Sequence, residues 1–148
     1  HEMGRRSGSL NVAGIVGLGA CVEHYPPNAA ETYRAIRADL PKSLRDSFPT
    51  IRLHGPEDAA TGHVLNVGIP GVSGKELAKA LDAEGILVSA SSACHATKLT
   101  PSPVLKAMGY PDEHADEALR ISFGRFTRRE DVVRLTRALC RIVAQVAA

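Results

Sequence analysis

Residues 63–94 read HVLNVGIPGVSGKELAKALDAEGILVSASSAC. HVLNVGIP (63–70) carries β-branched residues up to a proline, which predicts a strand. Ser73, with Glu76 three residues on, has the form of a helix N-cap, so GKELAKALDAEG predicts a helix that Gly85 ends. ILVSA (86–90) is again a strand, and it runs straight into small and hydroxyl residues around Cys94. A packed cysteine sits among apolar neighbours, but Cys94 follows Ser91, Ser92 and Ala93, precedes His95, and no hydrophobic period resumes before Pro101. The segment predicts a mobile loop just beyond a strand end, where a side chain is held by a rigid element yet stays accessible. A reactive thiol and an incidental loop cysteine both remain open on this local pattern.

The flanks extend the alternation. TIRLHG (50–55) predicts a strand, and Ala29 to about Ser47 a helix with Tyr33, Ile36, Leu40 and Leu44 at helical spacing. LNVAGIVGLGACVEH (10–24) is too densely apolar for a surface stripe and predicts a mostly buried helix, interrupted by Pro26-Pro27. Downstream come a short helix from Ser102 to Met108, the strand ALRISF (118–123), and a helix from Arg128 to about Val146, capped by Thr127 with Glu130 at its third position. Val132, Val133, Leu135, Leu139, Ile142, Val143 and Val146 form its apolar face, with Cys140 at the edge. Cys21 and Cys140 are therefore expected in the core. Helices alternating with three or four short strands imply one layered α/β or α+β domain.

Composition narrows the function. The 148 residues are 44% hydrophobic, enough for one core, and no run approaches a membrane span or a secretion signal. A soluble, cytoplasmic protein is expected. Cys21, Cys94 and Cys140 are odd in number, far apart and without a C-x-x-C pair, which argues for reduced thiols and no metal site. A net charge of +2 with interspersed signs and no tryptophan argues against nucleic-acid binding. The chain opens on HEMGRRSGSLNV without Met at position 1, which reads as the interior of a longer protein.

Two further segments carry chemistry. ALRISFGRFTRRED puts Arg120 on a strand, where it is either an exposed face residue or a bidentate clamp for a carboxylate. HEMGRRSGS gathers Arg5, Arg6, Ser7, Gly8 and Ser9 ahead of a helix, a composition suited to a phosphate.

HEMGRRSGSLNVAGIVGLGA, the stretch 63–94, LTPSPVLKAMG and ALRISFGRFTRREDV, in this order and at these distances, resemble the C-terminal part of the cysteine desulfurases, in the branch with a long catalytic loop. The resemblance covers almost the whole chain. It implies an α+β fold: the small C-terminal domain (residues 1–148) of a fold-type I pyridoxal-phosphate enzyme of the class V aminotransferase fold, a short, mostly antiparallel sheet flanked by helices. Residues 1–24 would form the linker and long helix from the large-domain boundary. The implied reaction takes sulfur from L-cysteine, leaving L-alanine and a persulfide on Cys94. Arg120 matches the arginine that pairs with the substrate carboxylate. Ser9 stands where the family usually has Thr, whose hydroxyl reaches the cofactor phosphate in the partner subunit of a homodimer. The resemblance also implies a sulfur-acceptor protein, for example in iron-sulfur cluster assembly.

The chain departs from the family at His63, usually Asn, and at His95, where small or hydroxyl residues are commoner. His95 is either an auxiliary that lowers the thiol pKa or moves a proton, or an exposed bystander. The five lysines, Lys42, Lys75, Lys79, Lys98 and Lys106, all lack the Ser-His context of the family's Schiff-base lysine. The large domain that binds the cofactor is thus expected to be missing, and the chain alone to hold no pyridoxal phosphate and to be inactive. Two other readings stay open: a selenocysteine lyase, since Ala-Cys-His also occurs there, and a stand-alone sulfur carrier or interaction module.

Overall fold

Leu53, Leu65, Val67, Leu119 and Ile121 alternate with polar or small residues along three short strands, which gives the sheet one apolar and one polar face. The computed structural model describes residues 2–5, 7–56, 62–90 and 102–146. Its strands, β1 (Arg52–His54), β2 (Val64–Gly68), β3 (Ser89–Ala90) and β4 (Ala118–Ser122), pair antiparallel throughout in the order β1-β2-β4-β3. The helices are α1 (Val12–Glu23), α2 (Ala29–Ser47), α3 (Gly74–Ala83), α4 (Pro103–Ala107), α5 (Asp112–Asp116) and α6 (Arg129–Val146). The expected α+β class, with a short antiparallel sheet among helices, is the one the chain adopts.

One core forms where α2, α3 and α6 meet the apolar face. Leu40 and Leu44 of α2, Leu77 and Leu81 of α3, and Leu139 of α6 are fully buried with Val67 and Leu119. Each such side chain contributes about 1.5–3 kcal/mol relative to exposure. The Tyr33, Ile36, Leu40 and Leu44 stripe is buried as the spacing predicts.

Helix α3 follows its sequence signals closely. Ser73 holds the N-cap position, although its side chain makes no capping bond. The next residue fixes the contact: a Cβ on Gly74 would run into the Ala118 carbonyl, so glycine lets the helix start touch β4. At the other end Gly85 takes φ +71°. Its N–H donates to the Asp82 carbonyl at 2.9 Å, and the Ile86 N–H donates to the Leu81 carbonyl at 2.9 Å. That pair of bonds closes a glycine-terminated helix and turns Ile86 onto the core. It also takes up the first residues expected in the following strand, which shortens to Ser89–Ala90.

Three expectations need correction. Helix α6 starts at Arg129: the Thr127 hydroxyl accepts from the Gly124 N–H at 2.9 Å, and Asp131, rather than Glu130, reaches back to the Arg128 N–H at 2.8 Å. Helix α1 has no buried residue, with Ile15, Leu18 and Val22 at 58–70% exposure. Its apolar residues surround the helix instead of forming a stripe, so no single side can be seated while the rest faces water. Neither cysteine expected in the core is fully buried: Cys21, on that helix, is exposed, and Cys140, on α6, is half-buried. Among the described residues no helix is long and apolar enough to cross a membrane.

Candidate active site

The polar face of the sheet carries a row of four residues in register. His54 pairs with Asn66, Asn66 with Arg120, and Arg120 with Ser89, one from each strand. Cross-strand partners project from the same side, with Cβ atoms about 4.5–5.5 Å apart. Arg120 is exposed, Asn66 and Ser89 are half-buried, and His54 is buried. Arg120 is therefore flanked on both sides by side chains able to donate hydrogen bonds.

Burial at the His54 end comes from the segment after β3. Ser102 caps α4, its Oγ accepting from the Leu105 N–H at 3.4 Å. Leu105, Ala115 and Ala118 then pack as a small second core, with Tyr110 against it. The Tyr110 ring meets the His54 ring edge-on at 4.9 Å, and the His114 ring lies 6.2 Å from His54. Tyr110 Oη accepts from the Gly55 N–H at 2.9 Å. One rung away, Arg52 pairs with the buried carboxylate of Glu117, whose other oxygen accepts from the Gly71 N–H at 2.7 Å.

His54 Nδ1 lies 2.7 Å from Asn66 Oδ1, while its Nε2 is buried with no partner among the described residues. A bare buried N–H is the rarer and costlier orphan, so the proton belongs on Nδ1, where it is donated to Asn66. Burial pushes the His54 pKa below its ordinary 6.5; the Asn66 bond opposes this, the His114 and Arg52 charges reinforce it, and the Glu117 charge opposes it. The ring is held neutral at physiological pH.

Of the residues singled out from the sequence, Arg120 lies on the open part of this face. Cys94 and His95 lie outside the described residues, as does the expected mobility of their loop; that segment joins β3, beside Arg120, to the N-cap of α4. Ser9 and Arg5 are exposed near the chain start, and α1 is capped by Asn11, whose Oδ1 accepts from the Gly14 N–H at 3.1 Å. Lys42, Lys79 and Lys106 are exposed and Lys75 half-buried on helix surfaces, and Lys98 is not described. Among the described residues no group of three or more His, Cys, Asp or Glu is placed to hold a metal ion. Sequence reasoning missed His54, Asn66, Tyr110, His114 and Glu117. His54 and Asn66 occupy the polar positions of their strands, a visible signal, but only the register brings them side by side.

The Aminotransferase class-V family model matches residues 1–135. The chain is 35% identical to a cysteine desulfurase IscS of Clostridium botulinum over 98% of its own length, which is 38% of that protein. It is 37% identical to a cysteine desulfurase IscS of Anaeromyxobacter, over 99% of this chain and 36% of the relative. A solved NifS-like protein superposes with a TM-score of 0.78 at 29% identity, over 97% of this chain and 37% of that one. The chain thus spans well under half the length of the relatives it matches.

Proposed function

Since the chain belongs to the class-V aminotransferase family, we propose that residues 1–148 are the small C-terminal domain of a cysteine desulfurase. In this reading Cys94 accepts sulfur from L-cysteine and Arg120 holds the substrate carboxylate. The observation that carries the reading is the register of β3, β4 and β2. Arg120 stands exposed beside Ser89, and Cys94 follows Ala90, the last residue of that edge strand, by four residues. The clamp thus stands on the strand that pairs with β3, the strand whose chain continues into the segment carrying the thiol.

The described residues do not fit pyridoxal phosphate by themselves, because the described lysines all sit on helix surfaces. A further domain would hold the cofactor. Helix α1 supports such a domain, since a helix apolar on every side is stable when covered on every side. This chain's own part is to bind and accept. The Arg120 fork suits a carboxylate bidentately. The Cys94 thiolate forms an S–S bond to the substrate sulfur while the Cβ–S bond breaks and Cβ takes a proton. The sum is Cys94–SH plus cysteine to Cys94–S–SH plus alanine, balanced in atoms and electrons. His95 would assist the thiol. Ser9 would reach the cofactor phosphate of a partner subunit in a homodimer. An acceptor protein, such as one of iron-sulfur assembly, would take the persulfide in the cytoplasm.

In the complete enzyme, Cys94→Ser should abolish persulfide formation and leave cofactor binding intact, because serine keeps the size but is a far weaker nucleophile. Arg120→Ala should raise the KM for cysteine by a large factor, and Arg120→Lys should recover only part of it. Turnover by the serine variant, or an unchanged KM in both arginine variants, would remove the reading.

A further inference from the structure

We propose that Asn66, oriented by His54, is a second donor to the substrate carboxylate beside Arg120, and that His54 is its positioning residue. The inference rests on the desulfurase reading above and adds residues to its substrate site. The row His54–Asn66–Arg120–Ser89 crosses all four strands on one face. An amide has one acceptor and one donor end. His54 Nδ1–H occupies the acceptor, Oδ1, at 2.7 Å, which leaves the Asn66 NH₂ as the end free to serve another group. Its cross-strand neighbour Arg120 is a donor only. Two donor groups set side by side on the half-open part of a sheet face do not satisfy each other; an anion between them satisfies both.

The orientation of the amide is built in. His54 is only 7% exposed, wedged beneath Tyr110 and beside His114, and Gly68 leaves it room, since a Cβ there would come 3.0 Å from the imidazole Cε1. The groups facing the ring from the packed elements are Arg52 on β1, Asn66 on β2, Tyr110 in the α4–α5 connection, His114 on α5 and Glu117 at the end of α5. With Nε2 buried and unpartnered among the described residues, a flip of the amide would demand the other tautomer and bury a bare N–H. His54 thus locks the donor end of Asn66 away from itself.

The test uses the complete enzyme and two readouts: cysteine KM against kcat, and the calorimetric Kd for L-cysteine in a Cys94→Ser background, where binding is read without turnover. Asn66→Ala should raise both KM and Kd about tenfold, the order of one charge-assisted hydrogen bond, with kcat little changed. Asn66→Asp keeps the size and the bond from His54 but turns the donor end into an anion, and should raise both further. His54→Leu should reproduce a severalfold rise, and His54→Asn, which keeps a donor near the place of Nδ1, should restore most of it. Thermal unfolding of each variant identifies any that fails to fold, and the Asp and Asn isosteres carry the test in that case. Unchanged KM and Kd in both Asn66 variants, with Arg120→Ala impaired, overturns this proposal and leaves the desulfurase reading standing. Unchanged values in Arg120→Ala as well would remove that reading itself.

Discussion

Leu119 and Arg120 are adjacent in sequence and opposite in fate. Leu119 is 1% exposed under the helices, and Arg120 stands on the open polar face. The same contrast runs across the sheet: Leu53, Leu65, Val67 and Ile121 face α2, α3 and α6, while Arg52, His54, Asn66 and Ser89 face the other way. One face carries most of the stability, through buried area. The other carries the polar side chains of the proposed site, whose positions are set by strand register. A two-residue period lets a short sheet keep these tasks apart, so changes on one face should leave the other nearly untouched.

The sharpest way to break that separation is at its two extremes. Leu119→Ala should cost about 2–5 kcal/mol in denaturant unfolding, from lost transfer energy and a cavity in the core. A cost under 1 kcal/mol would mean that the apolar face is not the structural one. Glu117→Ala belongs to the polar face but is buried, and should cost about 1–3 kcal/mol by orphaning the Gly71 N–H and leaving Arg52 without its partner. An effect as large as that of Leu119 would show that the polar face is also structural.

His54 predicts a smaller, pH-dependent effect. Its folded pKa is lowered, so below the ordinary value of 6.5 the unfolded chain binds the proton more readily than the folded one. Its contribution is fully present above 6.5 and is lost as pH falls from there through the depressed folded value. Chemical denaturation at a series of pH values should show that slope, and His54→Asn should remove it; an unchanged slope would place the titration elsewhere. Arg120→Ala should shift stability least, within about 0.5 kcal/mol, as for an exposed residue, whereas under the proposed function it should strongly weaken cysteine binding in the complete enzyme. A substantial loss of stability there would make Arg120 a structural residue.

Much of the fold was legible in local patterns because local physics decides it. The alternating strands, the Tyr33–Ile36–Leu40–Leu44 stripe of α2, the Gly85 stop of α3 and the Val132–Leu135–Leu139–Ile142 part of the α6 face lie where their periods put them, while Val133 and Val146, also expected on that face, are exposed. Helix α1 departs from the burial that its sequence suggests, for a physical reason. Density of apolar residues says that a segment prefers burial, not what is there to bury it, and Ile15, Leu18, Val22 and Cys21 remain exposed. Helix α6 starts one residue later than expected because the Thr127 hydroxyl is taken up by the preceding Gly124 N–H, and Asp131 reaches back to the Arg128 N–H instead.

Residue type and a period of two or 3.6 along the chain were enough for the class of fold and for most of its strands and helices, though not for the short helix α5, and they put Arg120 on a strand with a guanidinium able to pair with a carboxylate. Only the tertiary structure decided that His54, Asn66, Arg120 and Ser89 form one row, and that Tyr110 and His114 cover one end of it. Strand order and register bring together residues from four separate segments of the chain, and nothing within any one of those segments encodes which partner it will face.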